Sequence, residues 1–175
     1  MKKVIIILSL IFGLGFLVPE DYQMPVLGAT QKDWNPKSFW YYPWGRNRVH
    51  KGIDIFAKAS TPIVAPTGGF ILFSGENSLG GNVILMLGAK WRLHYFAHLK
   101  EIKTKRFKLV TAGQTIGIVG STGNAKGKQP HLHYSIKSLF PRFWQYDISQ
   151  RKSLERIFFI DPGRYLMKTS LIAKM

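Results

Sequence analysis

In the stretch RVHKGIDIFA, from Arg48 to Ala57, a histidine and an aspartate stand four residues apart, with a glycine midway and an isoleucine on either side of the aspartate. Residues i, i+2 and i+4 of an extended chain share a face, so His50, Gly52 and Asp54 point one way and Ile53 and Ile55 the other. PHLHYSI repeats the pattern: His131 and His133 share a face about 6.7 Å apart along a strand, with Leu132 and Tyr134 opposite. HYFAHL sets His94, Phe96 and His98 on one face by the same rule. These three stretches hold all five histidines of the chain, which has no cysteine. Disulfides, thiolate metal sites and cysteine nucleophiles are thereby excluded, and any metal must be held by imidazole and carboxylate. Three such strands converging on one cleft would bring together imidazole nitrogens and a carboxylate. That is the donor kit of a catalytic zinc site, with three protein ligands and an open position for water. A lone HxH or HxxxD is more often a satisfied polar pair; the occurrence of all three stretches in a chain so poor in histidine carries the reading.

The elements that must position these residues read as strands from Ile53 onward. IDIFA alternates, TPIVAPTGGFILFSG is two apolar runs broken by Pro66 and Gly68-Gly69, and GNVILML follows Gly80-Gly81. WRLHYFAHL, QTIGIVGSTG and HLHYSI continue the series, with glycine or proline between runs. Short strands at this spacing predict an all-β fold, sandwich-like or an open barrel, with few short helices. The 175 residues, 46% hydrophobic and 14% aromatic, suit one globular domain.

Lys2-Lys3 followed by the apolar run Val4 to Val18 reads as a secretory signal or an N-terminal anchor, since 15 helical residues span about 22 Å against roughly 30 Å of bilayer hydrocarbon. Leu27-Gly28-Ala29 is a candidate cleavage site, with Leu27 a poor match to the small-x-small rule. The expected organisation is therefore 1–29 signal or anchor, 30–41 lead-in, 42–166 the strand-rich domain and 167–175 a C-terminal tail. Against 25 Lys and Arg stand 9 Asp and Glu, a formal charge of +16, which favours anionic polymers or lipid head groups. No zinc-finger, RNP-type or basic-heptad signature accompanies the charge, so a specific nucleic-acid partner is not expected. KEIKTKRFK, Lys100 to Lys108, reads as a solvated hairpin or loop.

HKGIDIFAKASTPIVAPTGG, GGNVILML, HYFAHL, GQTIGIVGSTGNAKGKQPHLHYSI and FIDPGRYL together resemble the lysostaphin-type zinc metallopeptidases of bacterial cell walls, over about Tyr42 to Leu166. The resemblance implies an antiparallel sheet with a groove, Zn2+ held by His50, Asp54 and His133, and His98 and His131 as catalytic histidines. It further implies hydrolysis of peptide bonds in the stem or cross-link peptides of peptidoglycan. The protein would then be exported to the periplasm, envelope or exterior, where anionic envelope polymers would attract it, and it would meet the membrane only through an uncleaved N-terminal segment. An alternative within the same resemblance is a regulator of wall amidases that binds peptidoglycan without catalysis, as in relatives that have lost zinc ligands. His94 and Phe96 depart from the family pattern, which often has a small hydroxyl residue and tyrosine there. His94 is expected to pack or to touch substrate rather than to ligate, Asn82 to touch substrate, and the long basic and aromatic segment 137–159 to form a wall of the groove that shapes substrate choice.

Overall fold

The computed structural model describes residues 2–20, 22–45 and 48–172. Met1, Asp21 and residues 173–175, which belong to the expected N-terminal segment and C-terminal tail, lie outside the described residues. The alternating runs form one open sheet of nine strands: β1 (Ile53–Phe56), β2 (Pro62–Val64), β3 (Gly69–Asn77), β4 (Gly81–Gly88), β5 (Arg92–Ile102), β6 (Leu109–Val110), β7 (Thr115–Val119), β8 (His131–Ser138) and β9 (Phe159–Ile160). Their order is β1-β8-β5-β4-β3-β6, with β7 on the far end of β5 and carrying β2, and β9 on β8. Each pairing is antiparallel. The sheet does not close into a barrel. Among the described residues three α-helices accompany it: α1 (Lys2–Leu17), α2 (Ser153–Arg156) and α3 (Pro162–Ile172).

One face of the central strands builds the core. Ile53 and Ile55 of β1, Leu132, Tyr134 and Ile136 of β8, Phe96 of β5, and Ile84 and Met86 of β4 are fully buried. Burying each such side chain is worth about 1.5–3 kcal/mol, which fixes the strand register, because a one-residue slip would turn the whole set to the opposite face. The opposite face of β1 and β8 is thereby assigned to Asp54, His131 and His133. Lys100 to Lys108 runs from the exposed end of β5 into a surface turn, with Lys103 paired to Glu101.

Residues before 29 and after 166 pack against the sheet domain. Val26 is fully buried and forms an isolated bridge with Ile63, and Gln23 N–H donates to Pro66 O. In the lead-in, Trp34 and Trp40 are buried, and Trp40 N–H donates to His50 O. α3 continues across Leu166, which is buried in the core.

Candidate active site

β1 and β8 bring the first three polar residues together. Their register sets Asp54 opposite His133 and Phe56 opposite His131. Gly52, just before β1, lies so close to β8 that a Cβ there would stand 2.4 Å from Tyr134 O; the backbone glycine admits is the neighbouring strand's. His50 N–H donates to Tyr41 O, and its Nδ1 lies 3.0 Å from Ser38 O. A carbonyl can only accept, so Nδ1 carries the proton and Nε2 presents a lone pair. That lone pair faces Asp54 Oδ1 at 3.1 Å and His133 Nδ1 at 3.1 Å, and His133 Nδ1 stands 2.8 Å from Asp54 Oδ1. The indole of Trp44 stacks on the His50 ring at 4.0 Å, fixing its plane.

Among the described residues these three form the group whose donor atoms lie close enough together to share one metal ion. The donor set fits zinc: tetrahedral ligands at about 2.0–2.1 Å are about 3.3 Å apart, near the spacing found. Two imidazole nitrogens and a carboxylate oxygen within this distance of one another could hold a cation. Burial opposes the charge on Asp54, but the two imidazoles against its Oδ1 outweigh it and hold the carboxyl far below the usual carboxylate range. Burial also pushes His133 down, despite Asp54. Asp54 is thus a carboxylate set against a neutral His133 ring.

His98 and His131 stand beside the trio. Their rings are 5.0 Å apart, and His98 lies 6.0 Å from the His133 ring. His98 Nδ1 donates to Thr122 O at 2.9 Å and His131 Nδ1 to Gln129 O at 2.7 Å. In each ring Nε2 is therefore the proton-accepting nitrogen. Burial, followed by the neighbouring rings of His133 and His131, pushes His98 down to about 4, so it is a neutral base at ordinary pH. All five residues line a cleft of about 1330 Å³, along with Trp44, Phe56, Tyr95 and Lys128.

β5 does not present His94 and His98 on one face. His94 is wholly buried in the core with its Nδ1 2.7 Å from the Tyr134 hydroxyl, and burial, then Arg92, pushes it down to about 3. Tyr95 and Ala97 take the cleft face. His98 joins them because its backbone is left-handed, φ 68°, at an irregularity where the β5 pairing shifts register. A non-glycine residue adopts such a conformation only when its surroundings hold it there; here His98 N–H donates to Gly80 O at 2.8 Å and the ring to Thr122 O. His94 is thus a core residue and is not part of the cleft lining.

Asn82 is not in the cleft lining either. Its amide donates to Leu99 O at 3.1 Å and to Lys100 O at 3.2 Å, fastening β4 to the irregular part of β5. Of segment 137–159, Lys152 is the residue among those lining the cleft; Phe140, Phe143, Trp144 and Tyr146 are not. Trp44 and Tyr95 were not singled out from the sequence. Trp44 sits among several aromatics of the lead-in, and Tyr95 is legible only once β5 is known to turn at His98.

The sequence profile described as "Peptidase family M23" matches residues 48–142. An L-Ala--D-Glu endopeptidase of Bacillus subtilis (strain 168) is 40% identical over 102 residues, which are 53% of this chain and 31% of that protein. The solved catalytic domain of the antimicrobial peptidase lysostaphin from Staphylococcus simulans superposes with a TM-score of 0.61 at 27% identity, covering 78% of this chain and 95% of that one. A zinc-containing peptidase from Vibrio cholerae superposes with a TM-score of 0.50 at 25% identity, covering 68% of this chain and 34% of that one. The chain spans less than a third of the length of the curated relatives it matches.

Proposed function

The chain belongs to peptidase family M23, and on that premise we propose that it is a zinc-dependent endopeptidase cutting peptide bonds in the stem or cross-link peptides of bacterial peptidoglycan. The observation that carries the reading is the convergence of His50 Nε2, Asp54 Oδ1 and His133 Nδ1 within 2.8–3.1 Å, beside two further histidines in the same cleft. Zinc held by these three would supply Lewis acidity toward the scissile carbonyl and lower the pKa of water at its open position.

The remaining chemistry falls to the chain. His98 Nε2, neutral because its own pKa is held low, accepts a proton from the attacking water. His131, anchored through Nδ1, presents Nε2 in the same cleft as a second group for proton transfer. Trp44 and Ser38 hold His50 in one orientation, the support that ligating histidines need. Lys128 on the cleft wall suits the carboxylates of a stem peptide. The survival of the full ligand set favours an enzyme over a regulator that binds without cutting. Peptidoglycan lies outside the cytoplasmic membrane, so the proposal includes export to the envelope, where a charge of +16 concentrates the protein on anionic polymers.

The experiment is to incubate the zinc-loaded chain with purified peptidoglycan and identify the released fragments by mass. New amino termini within stem or cross-link peptides are expected. Intact sacculi that bind the protein without releasing peptides would instead support the regulator.

A further inference from the structure

α1 is apolar from Val4 onward apart from Ser9, and one side of its second half packs on the domain while Leu14 and Leu17 stay exposed. Phe12 stacks on Trp91 at 5.9 Å, and Trp91 Nε1–H donates to Phe12 O at 2.9 Å. Phe12 and Phe16 both meet Phe140, at 5.2 and 5.4 Å, and Gly15 lets the Trp91 indole lie against the helix backbone. Val4, Ile5, Ile6, Ile7 and Leu10 are more than half exposed. The chain beyond α1 is fixed to the domain: Glu20 pairs with Arg92, the Tyr22 and Tyr134 hydroxyls are 2.5 Å apart, and Val26 is in the core. Cleavage after Ala29 would strip away these buried contacts.

The apolar surface continues past Phe140. Leu139, Phe143 and Trp144 are 44%, 71% and 76% exposed, and the Arg142 guanidinium lies 5.5 Å from the Trp144 ring centroid. Lys2 and Lys3 stand at the start of α1, and Lys137, two residues before Leu139, is exposed. Large exposed apolar groups interleaved with cations are poorly matched to water but match the boundary between head groups and acyl chains, where aromatic rings and snorkelling Lys and Arg are favoured. No helix among the described residues is long and apolar enough to cross a membrane, and a helix with one side already packed on the domain suits lying along a bilayer.

We propose that α1 and the Leu139–Trp144 surface form one docking face for an anionic phospholipid bilayer, with α1 retained and lying between the domain and the lipid. The partner is a bilayer because α1 offers no polar side for a second protein's rim, and it is anionic because the cations flanking the face and the charge of +16 call for phosphate.

The test uses the full chain with vesicles containing phosphatidylglycerol and brominated acyl chains. α1 alone could bring the chain to a vesicle, so the readout is placed at Trp144. Bromolipid should quench the wild-type fluorescence, Trp144→Phe should lose a large share of the quenchable signal, and Trp34→Phe, in the core, should lose none. Replacing phosphatidylglycerol by phosphatidylcholine should weaken binding at least tenfold, as should F143S/W144S with unchanged thermal unfolding. Equal quenching in wild type and Trp144→Phe would overturn the proposal and leave the surface to a protein partner. Recovery from an expressing bacterium of a product beginning at Thr30 would overturn it as well.

Discussion

Replacing Gly52 by alanine should disturb a metal site that the residue never touches. An added Cβ would stand 2.4 Å from Tyr134 O and 2.9 Å from Ser135 Cβ, both part of β8. In an interior packed to crystal density neither can yield freely, so β1 must move away from β8 by about 0.6 Å or more. Asp54 rides on β1 and His133 on β8, paired in register with their donor atoms 2.8 Å apart. A shift of that size exceeds the tolerance of about 0.2 Å on metal–ligand distances. Overpacking of this kind costs about 1–3 kcal/mol, which at about 2–4 °C per kcal/mol for a chain of this size should be plain in a melting curve. Zinc affinity should fall about tenfold or more, as it does when the support of a ligand is lost. The assays are thermal unfolding of the metal-free protein and competition with a zinc chelator. A Gly52→Ala protein that melts with the wild type and holds zinc as tightly would refute the claim that β1–β8 contact sets the ligand geometry.

Three further outcomes follow from the same structure. Because His94 is pushed down to about 3 from 6.5, the unfolded chain binds one more proton than the folded chain between those values, and stability is lost as pH falls through that window; the His94→Gln protein, measured without metal, should show a pH slope smaller by about 1.4 kcal/mol per unit. Trp44→Ala removes the ring stacked on His50 and should lower zinc affinity about tenfold while leaving the melting of the metal-free protein within about 1 kcal/mol, read by chelator competition and calorimetry. Tyr22→Phe removes one side of a buried hydroxyl pair and should destabilise by about 0.5–1.5 kcal/mol in denaturant titration.

The sequence was readable where strands keep a strict period of two. β8 alternates without a break, so His131 and His133 fell on one face and Leu132 and Tyr134 on the other, and the isoleucines of β1 turned Asp54 to the same cleft. β5 breaks the rule at His98, whose left-handed backbone is held by carbonyls from two distant loops. No glycine marks that turn, so period-two reasoning carried His94 into the cleft when it belongs to the core. Asn82 failed for a related reason, since its amide serves the irregular pairing that the turn creates. The packing of 22–29 depends on Val26 meeting Ile63 and Tyr22 meeting Tyr134, long-range contacts that a short run of mixed residues does not advertise. In segment 137–159 the composition was plain, but a groove wall and a lipid-facing surface both favour exposed aromatics beside arginine, and only the three-dimensional arrangement separates them.

The division of the five clustered residues into metal ligands and proton-transfer groups is tested most directly by measuring zinc content beside peptidoglycan hydrolysis in five single alanine variants. His50→Ala, Asp54→Ala and His133→Ala should each lose most of the zinc, since three protein ligands leave none spare. His98→Ala and His131→Ala should keep it and lose turnover by about 10²-fold or more. A His98→Ala protein as empty of zinc as His133→Ala would contradict the assignment of roles, and five variants that all still cut would contradict the site itself.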